Sequence, residues 1–389
     1  MRDFTYPKSF PNKEEQFFLQ LLLSDKNDLL KLWRQWNSCI VLDQLDKSIS
    51  KLFPFLYLRL KDLSIPDDEI KMIKGVYKHT WHKNLLVMDS AQNVVSLFNR
   101  ENIPVILLKG VPLLINAYKN TAARSVGDAD ILIDPKYVEK AVELMNANRW
   151  EYFYESPFSR NRISSPLTNK YIKEITFINA HNVQIDMHWN IFFFSFKENK
   201  EHPMSYDEVL KHSIDFDLKG AKCKVPCNED MLIHVIVHGS EQIFQRTLRW
   251  VLDTVTIIRN TPIDWEFLIE RIKKFDVAVE LNVAFSYLLK NYSIPVPESF
   301  IKELSNLPLK KENIKEYYRT TNNIEFILFG KLLYLWRGYW LYERKGNLFT
   351  SWYYFIDYAC KSLGIRGKRQ IPAFIIEKYK QRIGVLFNK

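Results

Sequence analysis

The chain has 389 residues, of which 47% are hydrophobic and 14% aromatic, and it carries a formal net charge of +10. This length can bury one large core or two to three smaller ones, and only 11 glycines favour helix-rich packing over a turn-rich β protein. Four scattered cysteines exclude a disulfide framework. The positive charge suits anionic partners such as nucleotide phosphates, nucleic acid or acidic surfaces, and equally an ordinary basic surface.

We expect no targeting or membrane segment. Its start, "MRDFTYPKSF", lacks the basic-then-apolar pattern of a signal peptide, and no uncharged apolar run reaches the roughly 18 residues that a membrane span needs. We therefore expect a cytoplasmic protein with no membrane span. Cys223 and Cys227, in "CKVPC", have no second cysteine pair or suitably spaced histidines, so we interpret them as reduced, ordinary thiols.

The first part of the chain, residues 1–95, is predicted to be helical. In "EEQFFLQLLLSDKNDLLKLWRQW", apolar residues recur at spacings of three and four. "SAQNVVSLFNRENI" repeats this pattern, and Ser90 is expected to cap the start of its helix. We call this part the N-terminal helical region.

Residues 96–227 are predicted to form an α/β core. "IPVILLKG" and "ADILID" have the composition of buried strands, and "VPLLINAYKN" between them is predicted to be helical with Pro112 in its first turn. Asp134 is expected to cap a further helix that begins at Pro135. "KEITFINA" and "VQIDMHWNIFF" are predicted strands, joined at "HN" by a tight hairpin turn. This alternation predicts a small mixed sheet with helices on it.

Helical patterns return in residues 228–389. They are strongest in "EDMLIHVIVHGSEQIF", "TLRWVLDTVTIIRN" and "DWEFLIERIKKFDVAVELNVAFSYLLKNY". We therefore predict the α+β class, with a small mixed β-sheet core flanked by N-terminal and C-terminal helical regions.

The residues with the clearest chemistry lie in "RSVGDADILIDP". Asp128 and Asp130 flank Ala129, and the side-chain period of two in a strand puts both carboxylates on one face. Two adjacent carboxylates repel each other, which is usually tolerated where a cation offsets the charge. Asp186, in "VQIDMHW", supplies a third carboxylate if the two strands are neighbours. Such oxygen ligands suit Mg²⁺, and two ions could clamp the attacking and leaving oxygens of an in-line displacement.

The residues before this motif suit a phosphate group. In "LLKGVPLL", Gly110 lies between a strand and a helix, where a glycine allows backbone N–H groups to approach a phosphate closely. Lys109 and Arg124 add positive charge for a triphosphate. His188 shares the face of Asp186 and either contacts the acceptor or a phosphate, or is a satisfied, partly buried histidine.

This ordered set resembles the polymerase-beta-like nucleotidyltransferases, which have a glycine-bearing strand-to-helix turn, then Asp-x-Asp, then a lone carboxylate on a later strand. More closely, "LLKGVPLLINAY", "RSVGDADILI", "VQIDMHWNIF" and "RTLRWVLDTVTII" are similar to a bacterial family of uncharacterised nucleotidyltransferases, over residues 80–260.

The resemblance implies that Asp128 and Asp130 hold the metals and that Asp186 completes the site and helps to activate the acceptor. It also implies that Lys109 and Gly110 belong to the phosphate-facing turn. The chain departs from the wider superfamily in one place, because the usual Gly-Ser pair is Gly-Val here and the hydroxyl that would contact a phosphate is missing.

Two further sets of residues have alternative interpretations. His234 and His238 are four apart, with Asp230 one turn earlier, but "HVIVH" lacks the glutamate of a metalloprotease. Helix packing or a contact with substrate is the favoured interpretation. Arg249 and Asp253 are predicted to form an i, i+4 ion pair in a network on one helix face.

The alternative to this ion network is that Arg246 or Arg249 contacts the nucleotide. "RGKRQ" at 366–370 and the aromatic residues of 334–358 could bind nucleic acid, although aromatic residues at helical spacing are more often core.

The sequence therefore predicts a Mg²⁺-dependent nucleotidyltransferase, with Mn²⁺ as the alternative ion. It would move a nucleoside monophosphate from a nucleoside triphosphate to an unidentified acceptor and release pyrophosphate, and ATP is the expected triphosphate. A small molecule, a peptide or a protein is favoured over nucleic acid as the acceptor. The alternative is a non-catalytic nucleotide-binding or partner-binding module on the same fold.

Overall fold

The structure, a computed structural model, describes residues 4–7, 9–40, 45–153, 174–191, 204–240, 247–322, 335–336, 339–340, 348–363, 365, 368–373 and 376. Its helices are α1 (Lys13–Leu23), α2 (Lys26–Cys39), α3 (Lys47–Ser50), α4 (Phe53–Leu60), α5 (Asp67–Arg100), α6 (Gly110–Asn116), α7 (Val138–Ala147), α8 (Tyr206–Lys211), α9 (Asn228–Ser240), α10 (Arg249–Asn260), α11 (Trp265–Lys274), α12 (Ala278–Asn291), α13 (Glu298–Asn306), α14 (Lys311–Asn322) and α15 (Leu348–Leu363).

One mixed sheet lies between these helices in the described part of the chain. Its strands are β1 (Ile106–Leu108), β2 (Asp128–Leu132), β3 (Glu151–Tyr152), β4 (Glu174–Ile178), β5 (Gln184–His188), β6 (Ile214–Leu218) and β7 (Ala221–Val225), in the order β3-β4-β5-β2-β1-β7-β6. β2 pairs parallel with β5, and β1 pairs parallel with β7, whereas the other pairs are antiparallel. The predicted α+β class, a sheet core flanked by helices, is confirmed.

The two faces of the sheet join different cores. Ala129 and Ile131 of β2 and Ile185 of β5 belong to a core shared with α5 and α7. Leu132, on the other face, joins the core of the helical regions, which includes Met231 of α9. Asp128 and Asp130 have the same parity as Leu132, so their carboxylates project from the face that α9 packs against.

The long helix α5 differs from the prediction for its part of the sequence. It runs for 34 residues without a break, so Ser90 lies inside it and the predicted helix start there is wrong. The apolar spacing continues on both sides of this serine, and its hydroxyl accepts a hydrogen bond from Asn179 at 3.1 Å. The region boundary that we predict at residue 95 also falls inside α5, whose second half packs on the sheet.

Several predicted elements of the core are present. β1, β2, β4 and β5 occur where the sequence predicts strands, and β4 and β5 form the predicted hairpin. Asp134 accepts a hydrogen bond from the Lys136 amide and caps a 3₁₀ turn, Pro135–Tyr137, that leads into α7. The structure adds β3 and the β6–β7 hairpin, which we did not predict.

Helix α9 faces the acidic side of β2 and is held near both of its ends. At its C-terminal end, Gly239 allows the close approach of Trp250 from α10. At its N-terminal end, the buried Asp230 accepts two hydrogen bonds of 2.7 Å from Arg271. The same guanidinium donates to Glu208 of α8 at 2.6 Å, so one buried cation joins three helices.

None of the helices that the structure describes is both long and apolar enough to cross a bilayer.

Replacing Gly239 by alanine is expected to destabilise the protein. A Cβ atom there would lie 2.1 Å from Cβ of Trp250, so α9 and α10 would have to move apart, at a cost of about 1–3 kcal/mol or more. Gly75→Ala is the matched control, because no atom lies within 4 Å of its Cβ position in α5. That variant should gain about 0.5–1 kcal/mol. Urea unfolding measures both, and equal effects would contradict the packing role of Gly239.

Replacing Arg271 by methionine should cost about 3–5 kcal/mol, because it leaves the buried carboxylate of Asp230 without its cation and removes one of the cations that pair with Glu208. Lys273→Met on the same helix is the control. Its ion pair with Glu303 is about half exposed on both sides, so its loss should cost less than about 1 kcal/mol. Thermal and urea unfolding of the two variants test the difference, and a loss of similar size in both would refute it.

Candidate functional site

Three neighbouring strands bring polar side chains together on one face of the sheet. β2 and β5 are parallel and in register, so Asp130 pairs directly with Asp186. On the other side of β5, β4 places Thr176 opposite Asp186 and Glu174 opposite His188. The predicted neighbourhood of the two acidic strands is therefore present.

Asp130 is the buried centre of this group, with 7% of its surface exposed. Its Oδ1 accepts a hydrogen bond from Nζ of Lys109 at 3.2 Å and lies 3.0 Å from Nε2 of His188. Burial acts to raise the pKa of this carboxyl, but Lys109 and His188 outweigh burial and hold the pKa well below its usual range. Asp130 is therefore a carboxylate in the folded protein.

The imidazole of His188 lies between two carboxyl groups. Only 3% of the side chain is exposed, and its Nδ1 is 3.1 Å from Oε2 of Glu174. That second contact lacks the alignment of a hydrogen bond. Glu174 itself is about one-third exposed, so it connects the buried ring to the rim of the site.

The pKa values of the other two carboxyl groups are raised. Burial, followed by the charges of Asp130 and Asp128, raises the pKa of Asp186 to about 7. Burial and then Asp130 also raise the pKa of Asp128. In addition, Oδ1 of Asp186 is buried without a hydrogen-bond partner. A site of this kind is stabilised by a cation, because a positive charge favours the ionised form of both groups.

The residues present fit a divalent ion. One ligand atom each from Asp130, Asp186 and His188 lie within 4.8 Å of one another, and the described residues contain no second group of three such side chains. Asp128 is not part of this trio, although it lies on the same strand and face. Metal binding by all three aspartates stays a prediction. The structural feature that favours it is the buried Oδ1 of Asp186, which has no hydrogen-bond partner.

The turn between β1 and α6 directs Lys109 to Asp130. Lys109 itself has the left-handed φ of 42°, and α6 begins at Gly110. A Cβ atom at Gly110 would lie 2.9 Å from Cγ1 of Val126, so the glycine allows the loop before β2 to pack closely. The glycine is thus explained by packing, and its predicted contact with a phosphate stays a prediction.

Arg124 is bound to the helical region that follows the core. Its guanidinium donates to both oxygens of Asp253 at 2.8–3.0 Å, and Tyr118 donates to the same carboxylate at 2.7 Å. Burial acts to lower the pKa of Arg124, but Asp253 outweighs burial and raises it. The predicted pair of Arg249 with Asp253 is wrong, because Asp253 turns toward the loop and Arg249 donates to the carbonyl of Ser125 at 3.0 Å.

A family model described as an uncharacterised nucleotidyltransferase matches residues 49–290, well over half of the 389 residues. The chain belongs to this family. The match spans every strand of the sheet and therefore includes Asp128, Asp130, Asp186 and His188.

Two solved structures show weaker likenesses to this nucleotidyltransferase. One is an antigenic nucleotidyltransferase-like protein from Paracoccidioides brasiliensis, with 14% identity, a TM-score of 0.32, and coverage of 55% of this chain and 94% of that one. The other is the CCA-adding enzyme of Thermotoga maritima in complex with tRNA, with 14% identity, a TM-score of 0.17, and coverage of 75% and 81%. Neither TM-score is high enough to inform the site. No curated protein matches the sequence.

The two histidines of α9 lie near the site of this nucleotidyltransferase. His234 is buried, and its ring centre is 5.9 Å from that of His238. Burial, followed by the charges of Lys109 and His238, lowers the pKa of His234 well below its usual range. Asp230, one turn earlier, pairs with Arg271 and does not join them. This arrangement agrees with the favoured interpretation of helix packing beside the site.

Two predicted features involve residues that the structure does not describe. Arg246 lies outside the described residues, so its predicted contact with a nucleotide stays a prediction. In "RGKRQ", residues 366–367 are also outside, and Lys368–Gln370 forms a short exposed 3₁₀ helix. Aromatic residues of the tail form a small local core, as their helical spacing indicates: Trp336, Tyr339, Trp340, Phe355 and Tyr358.

Sequence reasoning missed Asn84 of α5, which holds the loop that leads into β2. Its Nδ2 donates to the carbonyls of Thr121 and Arg124 at 2.6 and 2.7 Å, and its Oδ1 accepts from the amide of Val126 at 2.9 Å. The side chain is fully buried. The sequence signal that could have identified it is a polar residue on the apolar face of a helix.

Replacing Asn84 by aspartate should destabilise the protein by about 2–4 kcal/mol, because two partly buried carbonyl groups lose their donor and face a carboxylate instead. Asn99→Asp is the matched control on the same helix, since its single hydrogen bond, to the carbonyl of Lys222, is exposed. Urea unfolding of both variants measures the difference. A loss below about 1 kcal/mol for Asn84→Asp would show that this side chain does not hold the loop.

Proposed function

We propose that the chain transfers a nucleoside monophosphate from a nucleoside triphosphate to an acceptor and releases pyrophosphate. ATP is the expected nucleoside triphosphate. One observation carries the proposal. Asp130 and Asp186 lie side by side in register, and Asp186 has a buried oxygen that no protein group satisfies. Family membership agrees with this chemistry.

The carboxylates would bind two cations at two positions. Asp130 and Asp186 would hold one ion, and Asp128, on the same face, would hold a second on the nucleotide side. Mg²⁺, with Mn²⁺ as the alternative, would neutralise charge on the phosphates and on the attacking and leaving oxygens. Asp186 is the residue that we assign to help activate the acceptor. The protein contributes positioning and charge, with little covalent work.

The phosphate contacts come from cations near Asp128. Lys109 is the first of these, because its long flexible side chain can turn from Asp130 to a phosphate. Arg249 and Lys51 also act electrostatically on Asp128. Arg124 is less suited to a phosphate than its sequence position predicts, because Asp253 already accepts three hydrogen bonds from it.

The acceptor is proposed to be a small molecule, a peptide or a protein. Any hydroxyl or phosphate oxygen has the required nucleophilic character, and no described contact favours nucleic acid. We also propose a cytoplasmic location, and the four free thiols agree with a reducing compartment.

Label transfer from ATP tests the proposal. The full chain is incubated with a small-molecule extract, with total protein and with RNA, in parallel reactions that contain ATP labelled at the α- or the γ-phosphate. With Mg²⁺ or Mn²⁺, the α-label should enter one acceptor fraction and the γ-label should appear only in pyrophosphate. Asp130→Asn should reduce α-label transfer about 100-fold or more, because the central carboxylate is lost.

Asp134→Asn is the control, because it makes the same chemical change just after β2, at a residue that caps a 3₁₀ turn and lies outside the site. It should keep full activity. Metal-dependent binding of ATP without any α-label transfer would favour the non-catalytic binding module. Transfer that Asp130→Asn leaves unchanged would refute the assigned site.

A further inference from the structure

The position of His188 suggests more than contact with an acceptor or a phosphate. The side chain is buried on the polar face of β5, directly opposite Glu174 and one strand from Asp130. Its two ring nitrogens each lie near a carboxyl oxygen, at 3.0 and 3.1 Å. A buried imidazole that both neighbouring strands hold in this way has a fixed orientation.

The distance between His188 and Asp130 is compatible with two ligands of one ion. With metal–ligand bonds of about 2.1 Å at right angles, adjacent ligand atoms lie about 3 Å apart. Nε2 of His188 and Oδ1 of Asp130 are 3.0 Å apart. Asp186 supplies the third atom within 4.8 Å, and its Oδ1 has no hydrogen-bond partner. Small shifts of these side chains would therefore place all three around one cation.

Glu174 has the position of the group that usually supports such a ligand. A metal-bound histidine generally donates its other ring N–H to a carboxylate, which fixes the tautomer and makes the ligand nitrogen more basic. Oε2 of Glu174 is 3.1 Å from Nδ1 of His188, and a small rotation of the ring would align the two as a hydrogen bond. In this arrangement Nε2 faces Asp130 and Asp186.

We propose that His188, supported by Glu174, is a nitrogen ligand of the cation held by Asp130 and Asp186, so that this position prefers Mn²⁺ or a later first-row transition ion to Mg²⁺. The proposal rests on the metal-dependent transfer proposed above and deepens it. Mg²⁺ prefers oxygen ligands and retains its waters, whereas first-row transition ions gain from imidazole. The second position, beside Asp128, keeps oxygen ligands and suits Mg²⁺.

Pulsed EPR of bound Mn²⁺ tests whether a histidine nitrogen contacts the ion, without any need for activity. The full chain is loaded with Mn²⁺ in the absence of nucleotide. The wild type should show ¹⁴N modulation from one directly bound imidazole, and protein labelled with ¹⁵N-histidine should show the ¹⁵N pattern instead. His188→Asn should remove this signal. His181→Asn, the same change in the exposed β4–β5 turn, should keep it.

Equilibrium titrations of Mn²⁺ and Mg²⁺ then test the preference. His188→Asn and Glu174→Gln should each weaken Mn²⁺ binding about 10-fold or more. The affinity for Mg²⁺ should change less than about threefold. Glu174→Gln protects the test against misfolding, since this side chain is about one-third exposed and its replacement is close in shape.

Three outcomes would overturn the proposal. They are bound Mn²⁺ without histidine modulation in the wild type, equal losses of Mn²⁺ and Mg²⁺ affinity in His188→Asn, and no binding of either ion. Equal losses would mean that His188 only orients Asp130. The first two results are separate from the transfer assay, because α-label transfer with Mg²⁺ that depends on Asp130 would remain intact if only the histidine assignment failed.

Discussion

The parallel, in-register pairing of β2 with β5 is the constraint on which the site depends. Because side chains alternate along a strand, this one register places Asp130 beside Asp186 and sends Ala129 and Ile185 into the opposite core. A slip of one residue would turn the carboxylates into that apolar core. The apolar side chains of β2 and β5 therefore fix the register of the two strands. Their packing on the opposite face of the sheet holds the acidic side chains together.

Charge compensation across these carboxylates is uneven. The ammonium group of Lys109 lies beside Asp130, where His188 adds a second contact. Asp186 receives no equivalent cation from the described residues, and its pKa rises as a result of burial and of the two neighbouring carboxylates. The protein thus neutralises one of its acidic groups and leaves a charge deficit at the next strand.

Local patterns predicted the centre of the fold, and long-range contacts explain most of what they missed. Alternation and apolar runs identified β1, β2, β4 and β5, and with them the acidic residues. The β6–β7 hairpin had a readable signal, since Lys219 and Gly220 form its two-residue turn with positive φ at both positions. No local signal pairs Arg124 with Asp253, because 129 residues separate them. The i, i+4 rule instead selected Arg249, and the tertiary contact overrode it.

The uneven compensation would also link the proposed cation to the nucleotide. A divalent ion at Asp130 would compete with the ammonium group of Lys109 for the same Oδ1, whereas Asp186 offers an oxygen without a hydrogen-bond partner. Such an ion would gain contact with Asp186 and would displace Lys109 from Asp130. The released ammonium group would then be available to a phosphate, and a bound phosphate would hold it away from Asp130. Because both ligands would favour the same position of Lys109, the proposed site would bind them cooperatively.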